Sequence, residues 1–531
     1  MICASSPICC QRGVGTPRPG RAARFTAAVV VSFLLFGPYL ANLSRDYTRY
    51  CYFWNRQNTL VLIVLVLGLG IMLGLAGEVA RYTRRGWLIA LSNHAFVLLL
   101  GTGLLFNLAF VVRKLEPLAW APSRWQMGLL WLAASSVGIW AVSRPGSKCV
   151  TRCRQLCQII GPAVPVTFMG LLFVPGYPER MEPLPGHVPA QMLQPVSDAT
   201  RSGGVYVFIF DEWSYERTFA HGQVLNRFPH LVAFARTATM YIDAHSPAGD
   251  TERSLPGILF QTNDVAAVDH GRLGFMRGGE FVPTHDYQSI FARLEPLGYR
   301  GVMLGAGLPY RLWLGAQVDV CRSYSNYPCP SGVLGQMGVH LLRGFHYAPD
   351  PWTHRWYKTW ERAYLHKATC DTLANVRADV HRIISEGPPQ TFLVAHLFLP
   401  HMPAVLEPDL TFRPVERTVW HDGSLIGYEA NLQAMDRLAG EFMEALRLTD
   451  KFTDSLVVFT SDHSWRHDPE RTSGHSAVPI THVPLLVKVP GQIESRVVES
   501  RFETRDLGVL IEQSVRPGSR PEFACSQRSH P

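Results

Sequence analysis

The chain has 531 residues, enough for more than one domain, and its formal net charge of +8 is unevenly distributed. Residues 1–175 carry 17 Lys and Arg against 3 Asp and Glu, whereas the remainder carries 33 basic and 39 acidic residues. The second part is mildly acidic, so no basic domain is available to neutralise phosphates. This argues against a nucleic acid as the main partner.

Long apolar blocks follow one another in the first part. They lie at about 25–43, 59–77, 88–112, 126–143 and 155–175. Each is close to the ~20 residues that cross a bilayer core. Buried helices of a soluble protein would keep a polar face, which five such blocks in a row do not. The sequence therefore predicts a transmembrane domain of about five helices over residues 1–175.

The basic residues between these blocks favour a cytoplasmic N-terminus. In that orientation the inner segments hold 11 basic residues and the outer loops hold 6, as the positive-inside rule requires. The first block is long and has no small-residue cleavage site after it, which favours a span over a removed signal peptide. An odd number of spans then predicts a multi-pass protein of the inner or plasma membrane, with everything after residue 175 outside the cytoplasm.

A proline-rich stretch at 176–198 predicts a linker, and we expect a second domain at 199–515 and a tail at 516–531. In an oxidising compartment Cys321 and Cys329, which flank a short polar loop, are expected to form a disulfide. A zinc site at these cysteines is disfavoured because no His neighbours complete a ligand set.

The second domain alternates strand and helix patterns. Short apolar runs predict strands at 205–210, 302–304, 392–398, 456–460 and 483–489. Helical spacing covers 366–386 and 425–449. This alternation predicts an α/β domain with a mostly parallel central sheet and helices on both faces. In such folds the chemistry gathers at the carboxyl ends of the strands.

Acidic and histidine side chains fall at these strand ends. Asp211 follows the first run directly, and Asp462 and His463 follow the fourth. One such Asp is often only a helix cap. Two acids with a histidine at the same edge of a sheet indicate a divalent metal site.

The third run supplies two more histidines. His396 lies inside the strand and is interpreted as a core or edge histidine. His401 lies on a turn between prolines and is better placed to meet a substrate. His475, on the polar loop 472–479, is a further candidate, and His467 and His482 remain open.

Thr251 stands in 250-DTERSLPG-257, before a segment that can begin a helix with Pro256 in its first turn. Its hydroxyl is either an ordinary N-cap or a nucleophile. The second interpretation is chemically reasonable because a helix N-terminus stabilises an anion. A metal at Asp211, Asp462 and His463 would also lower the pKa of a coordinated hydroxyl.

Taken in order, these motifs resemble the alkaline phosphatase/sulfatase superfamily. More closely, the chain looks like the membrane-anchored branch that contains lipoteichoic acid synthases and phosphoethanolamine transferases, which also carries five spans before an extracytoplasmic α/β domain. The motifs behind the resemblance are 207-VFIFDE-212, 251-TERSLP-256, 399-LPHMP-403, 460-TSDHS-464 and 474-GHSAVPITHVPLLVKVPGQ-492.

The resemblance implies a role for each matched residue. Thr251 is the implied nucleophile, and the implied ligands of a zinc or manganese ion are Asp211, Thr251, Asp462 and His463. The implied substrate-binding residues are His401, His475 and Arg253. Two positions depart from the pattern: the lipid-linked branch usually has Glu where Asp211 stands, and the family often has Gly where Ser464 stands.

The residue at the nucleophile position distinguishes the sulfatases from the phosphoryl-transferring branch. Sulfatases oxidise a Cys or Ser there to formylglycine, and Thr251 cannot yield that aldehyde. The expected activity is metal-dependent phosphoryl transfer through a phosphothreonine, from a membrane lipid or lipid-linked donor to an envelope glycan or lipid acceptor. Two alternatives are an ester hydrolase of the sulfatase family and a non-catalytic sulfatase-like sensor or binding protein.

Substrate specificity is expected in loops such as 305–365, which are rich in aromatic residues. This region is either a packed insertion or a wall that faces lipid or sugar.

Overall fold

The computed structural model describes residues 20–43, 56–114, 124–144, 148–163, 203–269, 272–325, 332–347, 351–476 and 478–516. The chain forms two compact units. The first comprises Met1–Leu43, Gln57–Phe173 and Gly332–Tyr357, and the second comprises Ser44–Arg56, Val174–Ser331 and Lys358–Pro531. The predicted linker at 176–198, nearly all of the predicted tail, and Cys329 lie outside the described residues, so the disulfide stays a prediction.

The first unit is helical. It contains α1 (Arg21–Leu43), α2 (Arg56–Tyr82), α3 (Gly86–Lys114), α4 (Arg124–Ser143) and α5 (Cys149–Ile160). In the described part of the chain, four of these are long and apolar enough to cross a membrane, with spans at Arg21–Leu43, Gln57–Tyr82, Gly86–Val111 and Trp125–Ser143. They coincide with the first four predicted blocks. The fifth block, 155–175, extends beyond residue 163 and lies mostly outside the described residues.

Helix α1 is tied to its neighbours by polar side chains. Ser32 Oγ donates to the Val66 carbonyl at 2.7 Å, and Asn107 Nδ2 donates to the Leu34 carbonyl at 2.8 Å. Near the start of α1, Arg24 Nε pairs with Glu78 Oε1 at 2.6 Å. Polar groups in apolar helices need such partners, and these contacts fix the helices relative to one another.

The second unit is built around a sheet. Its first half contains β1 (Val205–Asp211), α6 (Tyr215–Thr218), β2 (Phe219–Ala220), β3 (Gln223–Val224), α7 (Pro229–Ala235), β4 (Thr239–Tyr241), β5 (Ala244–His245), α8 (Thr251–Phe260), β6 (Val265–Asp269), β7 (Arg272–Arg277), β8 (Glu280–Pro283) and α9 (Ile290–Leu294). Next come β9 (Arg300–Ala306), α10 (Tyr310–Leu314) and β10 (Val320–Tyr324).

The chain then supplies α11 (Val333–Gly344), which belongs to the first unit. It continues with α12 (Pro351–Glu386), β11 (Thr391–Pro400), α13 (Leu425–Leu448), β12 (Leu456–Ser461), α14 (Pro469–Thr472), β13 (Leu485–Lys488), β14 (Arg496–Val498), β15 (Phe502–Glu503) and α15 (Leu507–Val515).

The central sheet has eight strands in the order β10-β9-β11-β1-β12-β13-β4-β14. The five strands from β10 to β12 run parallel to one another, and β13 runs antiparallel to both of its neighbours. The predicted mostly parallel sheet is confirmed, and the predicted strand at 483–489 is the antiparallel member.

Helices cover both faces of this sheet, as predicted. On one side Phe208 and Phe210 of β1 pack with Tyr428 and Phe442 of α13. On the other side Val207 and Ile209 pack in a core that includes α8 and α15. Since strand side chains alternate between faces, a strand covered on both sides is apolar throughout. This explains why the run 205–210 lacks a polar position.

Candidate active site

Strands β1 and β12 are parallel neighbours, with Phe210 opposite Ser461. Their carboxyl ends therefore meet at one edge of the sheet. Asp211 ends β1, and Asp462 and His463 follow β12 directly. All three side chains are buried. The parallel topology thus brings together the two acids and the histidine that the sequence singled out.

Backbone groups hold the Asp462 carboxylate. Its Oδ1 accepts hydrogen bonds from two backbone amides, that of Glu212 at 3.1 Å and that of His463 at 2.8 Å. Its Oδ2 is fully buried and has no hydrogen-bond partner among the described residues. One oxygen is therefore fixed by the backbone while the other remains open to a ligand.

Glu212 turns the chain at the end of β1 with a φ of 65°, a left-handed conformation that is costly for a residue with a side chain. Two contacts hold it there besides its bond to Asp462. Tyr428 donates its hydroxyl to the Glu212 carbonyl at 2.6 Å, and Arg466 Nε donates to Glu212 Oε1 at 2.8 Å. Burial opposes ionisation of Glu212, but the charges of His401 and Arg466 outweigh burial and lower its pKa.

His396, which the sequence suggested to be a core or edge histidine, also lies at the cluster. It is fully buried, and its ligand atom lies within 4.8 Å of those of Asp211 and Asp462. Its Nδ1 lies 3.0 Å from the Ala306 carbonyl and 2.7 Å from the Tyr310 hydroxyl. A carbonyl only accepts, so Nδ1 carries the proton and the Nε2 lone pair is open. Nε2 has no hydrogen-bond partner in the described part of the chain.

A signal for His396 was present in the sequence. It is the single strongly polar side chain in the apolar run 392-FLVAHLF-398. A buried imidazole requires hydrogen-bond partners for its two nitrogens. Apolar neighbours in a strand covered on both faces cannot supply them, so His396 indicates that polar groups lie nearby. Arg466 and Tyr310 were also missed, because their contacts join distant segments of the chain.

Thr251 is the first residue of α8, and its hydroxyl faces the cluster. Thr251 Oγ1 lies 3.4 Å from Asp211 Oδ1 and 3.2 Å from His463 Nε2. His463 Nδ1 donates to the Ser464 carbonyl at 2.8 Å, so its Nε2 presents a lone pair towards Thr251. The same Nε2 lies 3.5 Å from Asp462 Oδ2 and 3.9 Å from Asp211 Oδ1.

The residue that caps α8 is Asp250, so the interpretation of Thr251 as an N-cap is wrong. Asp250 Oδ1 accepts a hydrogen bond from the Arg253 amide at 3.0 Å. Pro256 is the sixth residue of α8 and not part of its first turn, so the Glu252 carbonyl lacks its usual helical donor. Ser254 Oγ donates to the Asp462 carbonyl and ties the first turn of α8 to the end of β12.

The three residues implied to bind substrate lie in different settings. Arg253 is 56% exposed, and its guanidinium pairs with Asp250. His401 is half-buried on the turn after β11, with its ring centroid 4.5 Å from that of Phe398. His475 is exposed, and its Nδ1 contacts Ser473 Oγ at 2.7 Å. Their roles towards a substrate stay predictions.

The two buried acids strongly influence each other. Burial, and then the charge of Asp462, raise the pKa of Asp211 well above its usual value. Burial also opposes ionisation of Asp462, but the charges of His463 and His396 hold its pKa below the usual range. Two carboxylates this close share a proton unless a cation neutralises them.

These residues fit a divalent cation. Two carboxylates and two imidazoles supply the donor types that zinc and manganese accept, and His396 Nε2 and Asp462 Oδ2 have no hydrogen-bond partner among the described residues. The hydrogen bonds behind His396 and Asp462 are of the kind that orients metal ligands.

A buried set of carboxylates and imidazoles beside a hydroxyl, at the carboxyl edge of a mostly parallel sheet, defines an α/β protein with a candidate cation site. The chain belongs to the sulfatase family: the sequence model described as Sulfatase matches residues 205–508. This membership places it in the alkaline phosphatase/sulfatase superfamily, whose enzymes use divalent metals.

Individual relatives are more distant. The chain is 30% identical over 83 residues to an endo-4-O-sulfatase of Bacteroides thetaiotaomicron, a match that spans 15% of this chain and 16% of that protein. It is similar to a structure of Ps i-CgsB in complex with k-i-k-neocarrahexaose (TM-score 0.40, 15% identity, 58% of this chain and 70% of that one). It is also similar to a phosphonate monoester hydrolase of Agrobacterium radiobacter (TM-score 0.37, 13% identity, 58% and 73%).

Proposed function

We propose that the chain is a metal-dependent phosphoryl-group transferase that uses Thr251 as its nucleophile and forms a phosphothreonine. The observation that carries this proposal is the position of Thr251 Oγ1, 3.4 Å from Asp211 Oδ1 and 3.2 Å from His463 Nε2, at the start of a ten-residue helix. The proposal extends to a site at the membrane surface and outside the cytoplasm, with a lipid-linked or glycan substrate.

The hydroxyl of Thr251 faces Asp211, whose carboxylate has a second oxygen that can take the hydroxyl proton while the first binds a cation. A bond forms between Thr251 Oγ1 and phosphorus, and the bond from phosphorus to the leaving alcohol oxygen breaks. The leaving oxygen then takes up a proton. A second alcohol attacks phosphorus in the reverse sense and frees the Thr251 hydroxyl. Water in place of that alcohol would make the reaction a hydrolysis.

A divalent cation bound by Asp211, Asp462, His463 and His396 would supply positive charge that lowers the pKa of the Thr251 hydroxyl and attracts phosphoryl oxygens. The Arg253 and Ser254 amides already donate to Asp250, so the amides of Thr251 and Glu252 are the donors that the start of α8 can offer to the same oxygens. The residues proposed to hold or protonate the substrate are His401, His475 and Arg253.

Threonine at the nucleophile position supports phosphoryl over sulfuryl transfer. It offers an oxygen nucleophile, but it cannot be oxidised to the aldehyde that sulfatases use. The family match supports a second candidate, hydrolysis of a phosphoric or sulfuric ester, because the family is described by sulfate ester chemistry. The two candidates differ in whether water or an alcohol accepts the group.

The test is intact-protein mass spectrometry of the full chain in detergent, incubated with zinc or manganese and an extract of membrane lipids. The expected result is a mass increase that maps to Thr251, whose size names the transferred group. The Thr251→Ala variant should show no increase and should retain the wild-type Tm. An unmodified wild-type protein, with lipid turnover that persists in the Thr251→Ala variant, would exclude a phosphothreonine.

A further inference from the structure

Helix α11 has its polarity inverted relative to a helix in water. Every residue of α11 is described. Its buried positions recur at helical spacing and are mostly polar: Gln336, Val339, His340, Arg343 and Gly344. Its exposed positions are Val333, Leu334, Gly335, Gly338 and Leu341, with Leu334 84% exposed. A surface helix of a soluble protein shows the opposite arrangement.

The buried face of α11 packs on α1 within the first unit. Tyr39, four residues before the end of α1, has its hydroxyl 3.1 Å from His340 Nδ1. A Cβ added at Gly344 would lie 3.1 Å from a ring carbon of Phe36, so the glycine lets the two helices approach closely. The polar side of α11 is therefore directed towards a candidate membrane span, and its apolar side is directed away.

The residues that follow α11 lie at the same end of the bundle. Trp352 meets Trp125 edge to face, with 5.8 Å between ring centroids. Trp125 is the first residue of the candidate span in α4. Trp356 packs edge to face on Phe345 at 5.8 Å, which folds the start of α12 back onto the end of α11. Trp352 and Trp356 are 57% and 54% exposed.

We infer that α11 and the start of α12, the described parts of Gly332–Tyr357, form a membrane-interface element whose exposed apolar side chains are covered by phospholipid. Tyr39 and Trp125 stand near the ends of the candidate spans in α1 and α4, the depth at which a span leaves the bilayer core, and this segment contacts both residues. Tryptophan is the side chain enriched at that depth. Helices with one apolar face lie in the plane of the interface with that face against acyl chains.

The exposed face favours lipid over a second copy of the chain because it continues an apolar surface that already belongs to the candidate spans. Leu129 and Leu130 of α4 are exposed in the same unit as Trp125. No charged side chain stands among the exposed positions of α11 to set the register of a protein partner. The inference is independent of the chemistry at Thr251.

The test uses the full chain in nanodiscs of phosphatidylethanolamine and phosphatidylglycerol that contain a phospholipid with a diazirine on its acyl chain. After illumination, peptides are mapped by mass spectrometry. Peptides with Leu334, Leu341 and Trp356 are expected to carry lipid adducts as heavily as the α4 peptide with Leu129. Equally exposed aliphatic residues of the second unit, Leu448 and Ile493, should stay unlabelled.

A charged side chain at the centre of the face gives a second test. Leu334→Glu is expected to reduce labelling at Leu341 and Trp356 and to leave labelling of α4 unchanged, whereas Leu448→Glu should change neither. Two results would overturn the inference. One is an unlabelled 333–341 peptide beside a labelled α4. The other is two copies per nanodisc, with the 333–341 peptide crosslinked to its counterpart.

Discussion

At the scale of single residues, the site depends on how the imidazole of His396 is oriented. The Ala306 carbonyl and the Tyr310 hydroxyl both approach Nδ1, which leaves Nε2 directed at Asp211 and Asp462. Burial also lowers the pKa of His396, which favours the neutral form that binds metal. The Tyr310 hydroxyl therefore positions His396, a proposed ligand, and is not itself proposed as one.

Removal of that hydroxyl should weaken cation binding. We expect Tyr310→Phe to lower zinc or manganese affinity about 10- to 100-fold, the usual effect of losing a hydrogen bond behind a metal ligand. Isothermal titration calorimetry of the full chain measures it.

Tyr206→Phe is the matched control. Tyr206 is also fully buried in the central sheet, and its hydroxyl has no hydrogen-bond partner among the described residues. This variant should keep wild-type affinity. Equal losses in the two variants would show that the effect arises from packing and not from His396.

The sequence predicted that the two acids, His463 and Thr251 belong to the site. Each stands at the end of a strand or at the start of a helix, and these ends are where α/β folds bind ligands. It did not predict His396. A histidine inside an apolar run looks like part of the core, and only the register of β11 beside β1 shows that it reaches the same edge as Asp211. Glu212 and Arg466 were missed for a similar reason, since they are 254 residues apart.

At the scale of elements, one polar contact ties the first turn of α8, which also packs in the core beside β1, to the end of β12. Ser254 Oγ reaches the Asp462 carbonyl, and this contact fixes the distance from Thr251 to the end of β12. The local pattern in 250-DTERSLPG-257 indicated a helix start, but the serine's partner lies 208 residues away and could not be predicted.

Ser254→Ala should therefore impair catalysis more than stability. We expect a loss of about 1 kcal/mol in the free energy of unfolding. Misplacement of the nucleophile can reduce kcat by up to about 100-fold. Steady-state kinetics and thermal unfolding of the same preparation measure the two effects.

Ser289→Ala removes another buried hydroxyl that holds a helix start and makes no contact with Asp462 or Thr251 among the described hydrogen bonds. Ser289 caps α9 by accepting the Ala292 amide at 3.2 Å, and loss of a cap costs about 1 kcal/mol. Its kcat should stay at the wild-type value. If Ser254→Ala and Ser289→Ala reduced kcat equally, the contact at Asp462 would have no special role.

Strand β13 carries a buried lysine that makes stability depend on pH. Lys488 Nζ donates to the carbonyls of Thr453 at 2.8 Å, Val489 at 3.2 Å and Ser455 at 3.3 Å. Burial lowers the pKa of Lys488 to about 8, against about 10.4 in an unfolded chain. Between those values the unfolded chain binds a proton that the folded chain does not, so stability rises with pH.

The expected result is a contribution from Lys488 that raises the Tm from pH 8 to pH 10 and adds nothing below pH 8. Differential scanning fluorimetry of the wild type and of Lys488→Met over this range measures it. The variant should have a smaller slope of Tm against pH than the wild type. Parallel curves would mean that Lys488 keeps an ordinary pKa.

At the scale of the whole molecule, the proposed cation site lies at the meeting point of β1, α8, β11 and β12, so a bound cation would stabilise the α/β unit. A ligand that binds only the folded state at 100 times its Kd stabilises by about 2.7 kcal/mol. Removal of metal with EDTA should therefore lower the Tm, and addition of zinc or manganese should restore it.

Asp211→Asn tests whether this shift arises at the proposed site. The variant removes one of the two buried charges, so its metal-free form should not be less stable than the wild type. Its Tm should respond weakly to EDTA. A wild-type response to EDTA in Asp211→Asn would place the stabilising metal elsewhere in the chain.

The architecture of the α/β unit followed from apolar runs, since strands covered on both faces leave a clear pattern in the sequence. The sequence did not predict that Gly332–Tyr357 belongs to the first unit. Its sequence position between β10 and α12 suggests a loop of the α/β unit, and the inverted polarity of α11 becomes visible only once its buried face is known.

The return of the chain to the first unit at Gly332–Tyr357 has a consequence for proteolysis. The second unit is joined to the first not only through the stretch before β1 but also through both ends of this segment. A single protease cut within 176–198 should therefore not release the α/β unit from the candidate membrane spans. Fractionation after such a cut should leave the fragment with α8 and β12 in the pellet, retained by α11.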